Sequence, residues 1–173
     1  MSVKIEHLPN GSMRFQSERE FALENGQRLK SLTLVFETWG ELNREKSNAV
    51  LVHHALSVGS HVASNSKNSA PGWWQDIVGP GKAIDTDKYF VICVNNLGSC
   101  FGSSGPLSLN EETGEPYRFS FPQITIGDMT ASQKLLLDEL GISKLYAVAG
   151  GSMGAMLSLN WGIEFPDSLT KLI

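Results

Sequence analysis

The chain has 173 residues, 41% of them hydrophobic and 18% charged, with a formal net charge of −4. That balance fits one soluble globular domain. It offers no basic block for nucleic acid or a polybasic membrane surface, and no apolar run reaches the roughly 18 residues that span a bilayer.

The N-terminal stretch MSVKIEHLPNGSMRF lacks the continuous apolar segment of a secretory signal, so a cytoplasmic protein is expected. Its two cysteines, Cys93 and Cys100, have no CxxC spacing and are too few for a disulfide framework; two reduced thiols are expected. His7, His53, His54 and His61 form no HExxH and no Cys/His set with ligand spacing, so no metal is expected.

In chain order, MRFQSEREFALENGQRL carries an Asn25-Gly26 turn between two runs and predicts a hairpin. SLTLVFETWGEL predicts a further strand. NAVLVHHAL and KYFVICVNN are short apolar runs of the kind that form buried strands. The Gly-, Ser- and Pro-rich stretch from Leu97 to Gln123 predicts a long functional loop. GDMTASQKLLLDELGI predicts a helix with Asp128 as N-cap, an apolar face of Leu135, Leu136 and Leu140, and Gly141 at its close. KLYAVAG predicts a strand, MGAMLSLNWGIEF a helix ending before Pro166, and SLTKLI the opening of one more strand. Strands linked by helices imply a mostly parallel α/β sheet covered on both faces, with the antiparallel N-terminal strands at one edge.

Gly150-Gly151-Ser152-Met153-Gly154 matches G-x-S-x-G and falls between a predicted strand and a predicted helix. A nucleophile raised above a parallel sheet needs a very tight strand-to-helix turn. Glycines two before and two after the serine remove Cβ atoms that would clash there. The bland alternative is a glycine-rich turn whose serine caps a helix. On the nucleophile reading, Ser152 attacks and the backbone N–H of Met153 supplies one oxyanion donor. The second donor comes from the loop after NAVLVHHAL, and the N–H of Leu56 is the candidate. His53 and His54 precede the serine, whereas this turn is followed in chain order by an acid and then a histidine. Loop-anchoring or supporting roles are therefore expected of both.

The blocks HHALS, HVA, GWWQDIVGPGKAIDTDKYFVICVNNLGSC, GSSGP, TGEPY, FPQITIGDM and GGSMGAM run in that order between about residues 48 and 165. In them the chain resembles the homoserine O-acetyltransferase family. The resemblance implies an α/β-hydrolase fold and transfer of an acetyl group from acetyl-CoA to the hydroxyl of L-homoserine, an entry step to methionine. It implies a ping-pong course through a Ser152 acyl-enzyme, with no bound cofactor, and at family level a homodimer. Succinyl-CoA is the rival donor and L-serine a lesser rival acceptor. A serine ester hydrolase with the same turn is a second class, and an inactive fragment a third.

Two departures stand out. Val58 occupies the place where the family has glycine, with Gly59 one residue later, which would strain the loop if that place needs positive φ. Ala155 replaces a glycine in the first turn of a helix, where alanine is well tolerated. After Ser152 the acids are Glu164 and Asp167, and no histidine follows. Residues 1–173 are thus expected to form the N-terminal part of a single α/β-hydrolase domain, with the lid and C-terminal catalytic portion absent. Alone it would keep roughly 10³-fold of catalysis over water and expose a strand edge near Leu169 to Ile173.

Overall fold

The structure, a computed structural model, describes residues 3–173. Its strands are β1 (Val3–His7), β2 (Met13–Ser17), β3 (Phe21–Ala22), β4 (Arg28–Leu29), β5 (Leu32–Trp39), β6 (Ala49–His53), β7 (Val78–Gly79), β8 (Ile84–Asp85), β9 (Phe90–Val94) and β10 (Ala147–Gly150). Its α-helices are α1 (Ile126–Glu139) and α2 (Met153–Glu164). The main sheet has the order β1-β2-β5-β9-β6-β10. β1, β2, β5 and β9 pair antiparallel in succession, whereas β9, β6 and β10 are parallel. The predicted antiparallel edge and parallel remainder are both present. The Asn25-Gly26 turn closes the small β3–β4 hairpin, with Gly26 at φ 83°.

Period-2 alternation divides the core between the two sheet faces. Leu34, Phe36, Leu51, Ile92 and Val148 point to one face, where Leu136 and Leu137 of α1 and Trp161 of α2 cover them. Val50, Val52, Val91, Cys93 and Ala147 point to the other. Both faces are covered, as expected, but only the first by these helices. The second is packed by Val62, Ala63, Val78, Trp73 and Trp74, from the segment between β6 and β8. No helix among the described residues is long and apolar enough to cross a membrane.

One helix start differs from the expectation. The N-cap of α1 is Thr125, not Asp128. Thr125 is extended, and its Oγ1 accepts the Asp128 N–H at 3.0 Å, while Asp128 Oδ2 accepts the Thr125 N–H at 3.0 Å. This reciprocal capping box satisfies two otherwise orphaned donors and begins the helix earlier. Asp128 Oδ1 also accepts the Glu24 N–H at 2.8 Å, which ties the hairpin to the helix. Gly141 closes the helix at φ 70°.

SLTKLI pairs with the outer side of β10 through isolated parallel bridges, Leu145 to Leu169 and Val148 to Leu172. Leu172 and Ile173 remain exposed on that edge.

Candidate active site

β10 ends at Gly150 and α2 begins at Met153, so two residues make the turn. Ser152 absorbs it at φ 59° and ψ −126°, a backbone region that costs an L-residue about 1–3 kcal/mol. The flanking glycines are required by space. A Cβ on Gly150 would lie 2.5 Å from Gly154 O, and one on Gly154 would lie 2.1 Å from His53 O. Gly151, by contrast, faces open space. The turn therefore packs α2 directly onto the end of β6. The Ser152 side chain makes no capping hydrogen bond and is exposed, so the bland reading of a helix-capping serine is not what this turn does.

Leu56 and Met153 line one cavity of about 580 Å³. Its wall is largely apolar, with Leu97, Phe101, Ile124 and Met129. Ser152 stands beside Met153 at the exposed start of α2 and is not itself part of that lining. Met153 is the first residue of α2, where a backbone N–H has no intrahelical acceptor. Among the described residues neither the Leu56 nor the Met153 N–H is paired with a backbone or side-chain acceptor. The positive end of the α2 dipole lies at the same place.

The two adjacent histidines are fully engaged. His54 donates Nδ1–H to Ala55 O at 2.8 Å, and its Nε2 accepts the Asn96 N–H at 3.1 Å, which fixes a neutral tautomer. Burial pushes its pKa down. His53 is buried between Ser158 Oγ (3.0 Å from Nδ1) and Gln133 Oε1 (2.7 Å from Nε2). Burial drives its pKa to about 3, against a weaker upward pull from the Gln133 hydrogen bond. Glu164 lies twelve residues along α2 from Ser152, roughly 18 Å by helix rise. Among the described residues no group of three or more His, Cys, Asp or Glu side chains is placed to hold a metal ion.

The loop after β6 is fastened from below by Glu37, a buried carboxylate in β5. Its oxygens accept from Ser60 Oγ at 3.1 Å, His61 Nδ1 at 2.9 Å and Asn65 Nδ2 at 3.0 Å. Asn95 Oδ1 accepts the Ser60 N–H, and Gly59 O accepts from Trp73 Nε1 at 2.9 Å. Val58 is not in the left-handed region, so the loop carries no strain there. Gly59 is needed for space, since a Cβ would lie 2.8 Å from Asn95 Oδ1. Sequence reasoning missed Glu37, Asn95, Asn96, Gln133 and Ser158. For Glu37, Gln133 and Ser158 the local signal was a polar residue inside a strand or helix; Asn95 and Asn96 directly follow β9.

The family model for the alpha/beta hydrolase fold matches residues 48–173. Homoserine O-acetyltransferase of Desulfotalea psychrophila is 54% identical over 155 residues, covering 87% of this chain and 40% of that protein. Among solved structures, esterase E22 superposes with a TM-score of 0.87 at 39% identity, covering 98% of this chain and 46% of that one. Homoserine O-acetyltransferase from Bacillus anthracis superposes with a TM-score of 0.85 at 37% identity, covering 98% and 45%. The chain spans between 31% and 44% of the length of such curated relatives. The resemblance seen in the sequence blocks is thus found across nearly the whole chain, and on the family match the chain belongs to the alpha/beta hydrolase fold family.

Proposed function

We propose that Ser152 is the nucleophile of an acyltransferase that moves an acetyl group from acetyl-CoA to the hydroxyl of L-homoserine. The observation that carries this is an exposed, uncapped serine at φ 59° on a glycine-braced turn, followed directly by the unpaired amide of Met153, a residue that lines one cavity with Leu56, whose amide is unpaired too. Strain of this kind is retained where it aims a side chain.

In the first half-reaction the Ser152 Oγ–H proton passes to a general base while Oγ bonds to the thioester carbonyl carbon. The carbonyl oxygen becomes an oxyanion held by the N–H groups of Leu56 and Met153. The C–S bond breaks and the thiolate of CoA leaves with the proton. In the second half the homoserine hydroxyl gives its proton to the base and bonds to the acyl carbon; the bond from that carbon to Ser152 Oγ breaks, and Oγ takes the proton from the base. The base, a histidine oriented by an acid, is assigned to the part of the domain beyond these 173 residues. Both ring nitrogens of His53 and of His54 are already committed, and Glu164 is far along α2. The relatives' names favour an acetyl over a succinyl donor.

An ester hydrolase is the second reading, favoured by the likeness to esterase E22. Product partition separates the two. The natural gene product, given acetyl-CoA and L-homoserine, should release O-acetylhomoserine in proportion to homoserine. Free acetate at a rate indifferent to homoserine would favour the hydrolase.

A further inference from the structure

The Leu56 side chain is 75% exposed, so core packing does not place its backbone N–H. Anchors on either side of it do. Upstream, His54 bonds to Ala55 O and to the Asn96 N–H. Across Leu56 itself, the Val58 N–H closes a turn on Ala55 O at 3.3 Å. Downstream, Ser60, His61 and Asn65 all donate to one carboxylate, Glu37.

The sheet puts Glu37 in reach of that segment. It pairs with Cys93 of β9, which pairs in turn with Val52 of β6. The three form one row across the sheet, which sets Glu37 about 10 Å from Val52, close to where the chain leaves β6. A carboxylate buried in an apolar strand is costly unless hydrogen bonds satisfy it. Among the described residues, every side chain that bonds to the Glu37 oxygens comes from residues 60–65. The face around it is filled by Trp39, Val52 and Cys93. An apolar residue at this position would fill the face at less cost, but it would leave the segment after Leu56 unfastened.

We infer that Glu37 is a positioning residue for the reaction: by holding Ser60, His61 and Asn65 it sets the place of the Leu56 N–H as an oxyanion donor. This rests on the acyl-transfer reading of Ser152. Both half-reactions pass through a tetrahedral oxyanion, so Glu37 acts on both rates and on the binding of neither substrate.

The test compares the natural gene product with its Glu37→Gln and Ser168→Ala variants. Ser168 accepts the buried Trp161 Nε1–H at 2.9 Å and lies beyond the far end of α2, so its loss destabilises the fold away from Ser152. Intact mass after timed quenching follows acetyl adduct formation from acetyl-CoA, then adduct discharge to L-homoserine. Glu37→Gln should slow both steps by about tenfold, with half-saturating acetyl-CoA and homoserine each within about twofold. It should weaken inhibition by an acetyl-CoA analogue bearing a trifluoromethyl ketone, whose adduct with Ser152 carries the same oxyanion, by about tenfold. Ser168→Ala should lower the melting temperature yet leave all of these within about twofold. Unchanged rates or unchanged ketone inhibition in Glu37→Gln, raised half-saturating concentrations in place of slower steps, or an equal slowing in Ser168→Ala would overturn the inference. If Glu37→Gln does not fold, Asn65→Ala decides, since it removes one donor and keeps the carboxylate: about threefold slowing of both steps supports the inference, and none overturns it. If the unaltered protein forms no adduct, the acyl-transfer reading fails by itself, and the Leu56 amide resonance decides the placement: a shift in Glu37→Gln that Ser168→Ala lacks supports it, and an unmoved resonance overturns it.

Discussion

Gly154 packs against the end of β6 so closely that a Cβ on it would lie 2.1 Å from the carbonyl oxygen of His53. Two preferences oppose each other there. Alanine is the better helix former by about 1 kcal/mol, but the atom it adds meets backbone, which cannot swing aside. Overpacking of this kind costs about 1–3 kcal/mol, and more where backbone must shift. Gly154→Ala is therefore expected to destabilise the chain in urea unfolding and to disturb Ser152 with it. Gly151→Ala, facing open space, should change stability by no more than about 0.5 kcal/mol.

His53 makes stability depend on acid. Its pKa is depressed to about 3 in the folded chain, chiefly by burial, against about 6.5 when unfolded. Between those values the unfolded chain binds a proton that the folded chain does not. Stability present above pH 6.5 should fall by up to about 1.4 kcal/mol per pH unit as pH drops toward 3. Urea midpoints measured across that window check this, and His53→Gln should flatten the contribution.

His61 acts with the opposite sign. Burial pulls its pKa down, but hydrogen bonds to Glu37 and to Ala70 O, with the Glu37 charge, outweigh this and raise it. Its stabilising contribution is complete below pH 6.5 and is lost as pH rises through the raised value. Glu37→Gln should return the His61 pKa toward its ordinary range, read by NMR titration. It should also cost about 1–3 kcal/mol, because a carboxamide NH₂ would face donors that the carboxylate accepts.

The serine turn was legible because its requirement is steric and local: only glycine fits at 150 and 154, and both letters stand in the sequence. The strands were legible from short apolar runs, and the parallel placing of β10 from the helix α1 before it; β6 and β9 are parallel with only β7, β8 and loop between them. Other features were set by partners distant in the chain. Thr125 rather than Asp128 caps α1 because the two side chains cap each other. The covering of the second sheet face by Trp73 and Trp74 carries no periodic signal. Gln133 and Ser158 read as ordinary polar letters in helices, and nothing local says that they meet His53 between them.

Met156, Leu159 and Ile163 project from α2 at helical spacing and are exposed, as are Leu172 and Ile173 on the adjoining sheet edge. Exposed apolar side chains on one helix face beside a half-paired edge offer hydrophobic surface to a dye. The 173-residue chain is expected to bind ANS while folded, and Leu159→Lys with Ile163→Lys should remove most of that fluorescence without lowering helix content. A folded chain that leaves the dye dark would contradict this.

The assignment of Ser152 as an acyl-accepting nucleophile is tested most directly by intact mass after incubation of the natural gene product with acetyl-CoA. One acetyl adduct, absent in Ser152→Ala and discharged on adding L-homoserine, is the predicted result. An unchanged mass in the active preparation, or an adduct that survives Ser152→Ala, would contradict the assignment.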